Sequence, residues 1–196
     1  MKQIAIFASG NGSNAKELIH HFNHKNNKVA KISLIITNNS KAGVLEIAKT
    51  FNIKTVVLDR EEFYNTDSTI NILSENHIDL ILLGGFLWLI PQNIIKQYRD
   101  RIINIHPALL PKFGGKGMHG MNVHRAVIAA QEKETGITIH FVNEEYDKGE
   151  IILQAKCHVE ENDTAEDIEH KVQKLEHDYF SKTIENLLLA DLKIIL

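Results

Sequence analysis

Short apolar strand patterns alternate with helical patterns along the first hundred residues, and this alternation restricts the fold more than any other feature. Strands are predicted at 2–8, 29–37, 54–58, 78–84 and 101–106. Helices between them are predicted at 14–24, 42–51 and 64–76, with a fourth beginning at Pro91. Segment 78–84 (IDLILLG) is uniformly apolar, which is typical of a central strand covered on both faces. The alternation predicts a doubly wound, mainly parallel α/β sheet.

The pattern changes after residue 106. Residues 107–122 (PALLPKFGGKGMHGMN) predict a long loop with Gly and Pro, and long loops in compact domains are often functional. Alternating patterns at 135–142 and 150–159 predict two antiparallel strands near the C-terminal end. Segment 164–189 predicts a long closing helix, capped by Asp163 or Thr164. No repeat or linker interrupts the chain, so we expect one domain over 1–196.

Composition and charge exclude several classes of protein. The chain has 196 residues, 43% of them hydrophobic, which is enough for one core. The net charge of −3 and the scattered basic residues predict no binding to nucleic acid. The longest apolar stretch, 80–91, is too short to span a bilayer, and the N-terminus lacks a signal-peptide pattern. We expect a cytoplasmic monomer or homodimer without a membrane partner.

A glycine-rich segment, SGNGSN, joins the first strand to the first helix. Gly10, Gly12 and Ala15 match the G-x-G-x-x-G/A dinucleotide pattern, but residues 37–39 (TNN) lack the acidic side chain that would hold a ribose. The free N–H groups of the helix N-terminus favour an anion, so we predict phosphate binding without a dinucleotide. The structural alternative is a tight turn capped by Asn14 and Glu17.

An amide and an imidazole share one face of the fifth strand. Asn104 and His106 are two residues apart and therefore point the same way, and Pro107 ends the strand at the sheet edge where such folds bind ligands. Together they suit a developing oxyanion. The alternative is a core histidine bonded to a backbone carbonyl. Asp147 lies in an acidic turn between two predicted strands. If it lies beside His106, its charge would raise the pKa of the imidazole, but the sequence spacing alone does not show that the two residues meet.

The remaining histidines and the single cysteine are less informative. His140 alternates with apolar neighbours and could face the same cleft or solvent, while His119, His124 and His177 remain undecided. Cys157 has no partner for an intramolecular disulfide, and His20, His21 and His24 lie on a polar helix face. We predict no metal site.

Four motifs together resemble the formyltransferase superfamily: GNGSN, NIHPALLP, GITIHFVNEEYDKGEII and KVQKLEH. The first and last motifs narrow the resemblance to the phosphoribosylglycinamide formyltransferases, which are folate-dependent enzymes of purine synthesis. The resemblance covers nearly the whole chain. It implies a Rossmann-like formyltransferase fold, with a phosphate-binding half at about 1–100 and a catalytic, folate-binding half at about 101–196. The alternatives are a hydrolase that deformylates the same folate and a non-catalytic nucleotide-binding module.

The resemblance also implies roles for particular residues. Catalytic roles fall on Asn104, His106 and Asp147. Substrate phosphate and ribose are bound by Gly12, Ser13, Asn14, Gln173 and Glu176. The folate is enclosed by Leu87, Trp88, Leu89, Ile90, Asn104, Asn143, Glu144, Glu145, Tyr146 and Asp147, and His140 lines the cleft. Trp88 departs from the pattern, because many relatives have Arg there.

The implied reaction moves the formyl group of 10-formyltetrahydrofolate, a co-substrate, onto the amine of glycinamide ribonucleotide. It passes through a tetrahedral intermediate. The anionic oxygen of this intermediate is expected to be stabilised by Asn104 and by His106, kept protonated by Asp147.

Overall fold

The computed structural model describes residues 1–190, which form a seven-stranded sheet with helices on both faces. The strands are β1 (Lys2–Phe7), β2 (Ala30–Thr37), β3 (Lys54–Val57), β4 (Leu80–Leu83), β5 (Ile102–His106), β6 (Glu134–Phe141) and β7 (Ile151–His158). The helices are α1 (Ser13–Phe22), α2 (Val44–Thr50), α3 (Arg60–Asn65), α4 (Ser68–Glu75), α5 (Gln92–Gln97), α6 (Met121–Ala129) and α7 (Ala165–Leu189).

The strand order is β3-β2-β1-β4-β5-β6-β7. All pairs from β3 to β5 are parallel, and β6 and β7 join the sheet in antiparallel orientation. The predicted mainly parallel sheet, its two antiparallel strands and the long closing helix are therefore confirmed. Successive strands are added on one side of β1 up to β3, and on its other side from β4 onward. Ligands of doubly wound sheets bind at the point between β1 and β4 where this direction changes.

The core has two layers because successive strand side chains alternate between the faces of the sheet. Leu80 and Leu82 of β4 pack in the layer beneath α1, α2 and α7, whereas Ile81 and Leu83 pack in the layer beneath α3 to α5. All four side chains are buried, as expected for the central strand predicted from IDLILLG. No helix within residues 1–190 has the length and apolar character needed to cross a membrane.

The helix predicted over 64–76 is wrong in its bounds, because the structure has two shorter helices there. The Asp59 side chain accepts hydrogen bonds from two backbone N–H groups and starts α3 four residues earlier than predicted. Thr66 then adopts an extended conformation, with φ −134° and ψ 171°, which ends α3 before α4 begins.

The sequence prediction missed α6, whose first two residues it placed in the loop over 107–122. Val123 and Val127 are buried on one face of this helix, four residues apart, so a short amphipathic pattern was present. The chain enters α6 through Gly120, whose positive φ of 53° favours glycine. At the other end of the chain, Thr164 caps α7 in a reciprocal pair of hydrogen bonds with Asp167, one of the two predicted caps.

Candidate active site

A cavity of about 630 Å³ lies at the carboxyl ends of β1, β4 and β5, where the direction of sheet growth reverses. Its walls are the loops after these strands, the end of β6, the turn before β7 and one face of α7. Almost every site residue named from the sequence lines this one cavity. The exception is Glu144, which does not line it.

The glycine-rich loop forms one end of the cavity, and its conformation leaves the N-terminus of α1 uncapped. Gly12 is the N-cap residue at φ 81°, and a Cβ there would lie 2.8 Å from the Cβ of Val44. Within residues 1–190 the N-cap position makes no side-chain hydrogen bond, so the alternative of an Asn14–Glu17 capping pair is wrong. The Asn11 side chain accepts a 3.2 Å bond from the Ser13 N–H at the start of the helix. The N–H groups of Asn14 and Ala15, the next two residues of the first turn, are therefore available to an anion.

Asn14 instead joins the loop to α7. Its side-chain amide donates a 2.9 Å hydrogen bond to the Glu176 carboxylate across 162 residues of sequence. Burial raises the pKa of Glu176 from 4.5 to about 7, and the bond from Asn14 only partly opposes this rise. The site thus has a carboxyl group that is partly protonated at neutral pH beside the candidate phosphate loop.

The pairing of β5 with β6 brings an amide and two imidazoles together. Asn104 lies opposite His140 in the antiparallel register, with 3.1 Å between its amide nitrogen and Nε2. Nδ1 of His140 is 2.8 Å from the Phe141 carbonyl oxygen, so Nδ1 carries the proton and Nε2 accepts from Asn104. His140 is buried and faces the cavity, and the alternative of a solvent-facing side chain is wrong.

Asp147 reaches the same cluster from the turn before β7. Its Oδ1 is 3.5 Å from Nδ1 of His106 and 3.4 Å from the amide nitrogen of Asn104. Its Oδ2 accepts a 2.8 Å bond from the Gly115 N–H. His106 donates through Nε2 to the Phe113 carbonyl at 2.8 Å, so the histidine is bonded to a backbone carbonyl as well as facing a carboxylate.

The net pKa shift of His106 is opposite to the one expected from the sequence. Burial lowers its pKa below the ordinary 6.5, and the charge of Asp147 and the Phe113 carbonyl only partly oppose this. The expectation that Asp147 keeps the imidazole protonated is therefore wrong for the unliganded protein, because His106 is only 3% exposed and loses its hydration. Burial would also raise the pKa of Asp147, but His140, His106 and the Gly115 N–H lower it.

Backbone packing explains why the acidic turn has the form Asp147-Lys148-Gly149. Asp147 has a positive φ of 55°, which aspartate tolerates better than most residues. A Cβ on Gly149 would overlap the carbonyl oxygen of Phe141, so only glycine lets the turn lie against β6. This close approach sets Asp147 beside the histidines.

Trp88 lies in an aromatic cluster at one side of the cavity. Its ring is 5.6 Å from that of Phe63 and 6.0 Å from that of Tyr64. The guanidinium of Arg60 lies over Trp88 at 5.2 Å, and the Tyr64 hydroxyl donates to the Leu89 carbonyl at 3.1 Å. Tilted aromatic rings and the Arg60 guanidinium thus pack against Trp88 in the segment Leu87–Ile90.

Several cavity residues were missed or left undecided from the sequence. These are Gly115, Lys116, Gly117, Met118, His119, Gly120, His124 and Glu169. The length of the loop indicated its part, but nothing in the sequence placed His124 or Glu169 at the site. No group of three His, Cys, Asp or Glu side chains that could hold a metal occurs in the part of the chain that the structure describes.

Fold and site together define a doubly wound α/β protein with a glycine-rich loop and a buried amide–imidazole–carboxylate cluster at one cavity. Residues 2–184 match the family model described as formyl transferase, and the chain belongs to this family.

Its relatives include a chloroplastic phosphoribosylglycinamide formyltransferase of Vigna unguiculata, 38% identical over 95% of this chain and 61% of that protein. The phosphoribosylglycinamide formyltransferase of Bacillus subtilis is 35% identical over 96% of this chain and 95% of its own length. The crystal structure of the Bacillus halodurans phosphoribosylglycinamide formyltransferase is 34% identical, with a TM-score of 0.88 and full coverage of both chains. The chain thus spans less than two thirds of the plant relative but nearly all of the bacterial ones.

Proposed function

We propose that this protein transfers the formyl group of 10-formyltetrahydrofolate to the amine of N1-(5-phospho-β-D-ribosyl)glycinamide. The observation that carries the proposal is the convergence of Asn104, His106 and Asp147 at one cavity, with Asp147 3.5 Å from His106. Membership of the formyl transferase family and the names of the bacterial relatives support this substrate pair.

The two substrates enter from opposite ends of the cavity. In this proposal, Gly12, Ser13 and Asn14 hold the phosphate, and Gln173 and Glu176 contact the ribose. The folate pterin lies against the backbone of 87–90 and against the turn 143–147. This arrangement places the formyl carbon and the amine between the phosphate loop and the aromatic cluster, beside His106.

In the reaction, the neutral amine attacks the formyl carbon and forms a tetrahedral intermediate with an anionic oxygen. The Asn104 amide donates a hydrogen bond to that oxygen. His106 donates to it from Nδ1 when that nitrogen takes up a proton, because its Nε2–H is already bonded to the Phe113 carbonyl. Asp147 is ionised and accepts the proton that the amine loses, directly or through a water. When the intermediate collapses, the carbon–nitrogen bond to the folate breaks and the proton passes to the folate nitrogen.

A spectrophotometric assay of the purified protein tests this function. We expect loss of the formyl group from 10-formyltetrahydrofolate only when glycinamide ribonucleotide is present. His106→Ala should reduce turnover by about 10²–10³, because one oxyanion donor is removed. Folate breakdown that does not require the amine substrate would instead indicate a hydrolase, and no breakdown in either condition would refute the enzyme assignment.

We further propose that the enzyme acts in the cytoplasm as a monomer or homodimer. The plant relatives are named as chloroplastic, whereas the name of the Bacillus subtilis relative gives no compartment. Sedimentation of the purified chain distinguishes the two assembly states, and a larger particle would contradict both.

A further inference from the structure

His124 is a buried imidazole at the cavity that the proposed reaction does not use. It lies on α6, is 3% exposed, and lines the cavity on the side where α6 packs against α7. Burial lowers its pKa, while the charge of Glu169 raises it and the nearby His106 lowers it. His124 is therefore near enough to Glu169 of α7 and to His106 of the reaction cluster for both charges to affect its pKa.

The two ring nitrogens of His124 have different surroundings. Nδ1 is fully buried and has no hydrogen-bond partner among residues 1–190. The ring is neutral at neutral pH and carries one proton. A buried N–H without an acceptor is rarer in proteins than an acceptor without a donor, so the proton belongs on Nε2. The Nε2 end of the ring is then a donor that opens toward the cavity.

The residues of α7 that line the cavity give the approximate distance between the phosphate loop and this donor. Glu169, Val172, Gln173 and Glu176 all line the cavity and are spaced as one helical stripe. The stripe is two turns long, about 10 Å at 1.5 Å per residue. Its Glu176 end is tied to the phosphate loop, and its Glu169 end lies beside His124. A sugar phosphate whose phosphate is bound near Glu176 would extend its glycinamide group toward Glu169 and His124.

We propose that His124 contacts the amine substrate by donating a hydrogen bond from Nε2 to the carbonyl oxygen of the glycinamide arm. The proposal rests on the function proposed above. The amine must keep its lone pair free to attack the formyl carbon, so the carbonyl is the acceptor next to it. A bond to this carbonyl orients the neighbouring amine toward the formyl group.

Three substitutions of His124 test the position of the donor. The amide nitrogen of Gln reaches the place of Nε2, whereas the shorter Asn reaches only the place of Nδ1, and Phe keeps the ring without a donor. We expect H124Q to keep the KM for glycinamide ribonucleotide within about threefold of wild type. H124N and H124F should raise that KM about tenfold, the usual effect of one lost hydrogen bond. The KM for the folate should not change in any of them.

His170→Gln is the matched control, because this histidine lies on α7, one residue from Glu169, but is exposed and does not line the cavity. Folate binding followed by the fluorescence of Trp88, the single tryptophan, checks that each variant is folded. Should H124F fail to fold, the comparison of Gln with Asn decides.

Equal KM values for H124Q and H124N would overturn the proposal while leaving the enzyme function intact. A rise in the folate KM equal to that of the amine substrate would also overturn it, since His124 would then act on the cavity as a whole. Absence of amine-dependent transfer in the wild-type protein would refute the proposed function and this inference with it.

Discussion

Replacing Glu176 with glutamine should stabilise the protein, and the gain should depend on pH. The Glu176 carboxyl is partly buried, and within residues 1–190 its one hydrogen bond is the 2.9 Å bond that it accepts from Asn14. A glutamine oxygen can accept the same bond without a charge. The substitution therefore removes the cost of burying a carboxylate and keeps the contact.

The size of the gain follows from the pKa of Glu176, which burial raises from 4.5 to about 7. At ~1.4 kcal/mol for each tenfold change in proton affinity, the rise corresponds to about 3 kcal/mol. Partial access of water to the side chain reduces this to about 1–3 kcal/mol. Between pH 4.5 and 7 the folded state binds more protons than the unfolded state, so the free energy of unfolding falls as pH rises. The cost is absent below pH 4.5 and complete above pH 7.

Denaturant unfolding of wild type and E176Q at pH 4.5 and pH 8 measures the difference directly. We expect similar stabilities at pH 4.5 and a gain of about 1–3 kcal/mol for the variant at pH 8. Asp178→Asn is the control, because Asp178 is an exposed carboxylate on the same helix. A gain of equal size at both pH values, or a gain confined to acid, would refute the argument that burial of a charge is the cause.

Two further predictions concern the acidic turn. Asp147→Asn removes the charge that raises the pKa of His106, so that pKa should fall further; NMR titration of the ring measures it, and an unchanged value would contradict the 3.5 Å pair. The same variant should lose transfer activity. Gly149→Ala forces a Cβ into a backbone carbonyl of β6 and should destabilise the protein by about 1–3 kcal/mol in denaturant unfolding; an unchanged midpoint would show that the turn is free to move.

The sequence was informative where a physical pattern is local. The uniform apolarity of 78–84 predicted a strand buried on both faces, and the two-residue spacing of Asn104 and His106 predicted a shared face at the end of β5. Both features depend only on the alternation of side chains in a strand. The parallel part of the sheet followed from the order of strands and helices, because neighbouring parallel strands need a crossover connection, which is usually a helix.

Features that depend on distant contacts were not predictable in this way. The place of His140 in the cavity follows from its register opposite Asn104, and the register depends on how β6 pairs across 36 residues. The position of His124 at the cavity required the packing of α6, which contacts α7. The division between α3 and α4 came from one cap at Asp59 and an extended Thr66, which a periodic pattern does not detect.

His106 shows that the presence of a charged neighbour does not by itself predict the direction in which a pKa shifts. The sequence suggested a carboxylate beside the imidazole, and Asp147 is there, yet burial outweighs its charge. This result suits the proposed reaction better than a permanent imidazolium would. An imidazolium paired with Asp147 would already be stabilised before the substrate arrives, and that stabilisation would not favour the transition state. A buried imidazole that becomes protonated at Nδ1 only as the oxyanion forms gains most at that moment, because the two new charges appear side by side in a site from which water is largely excluded.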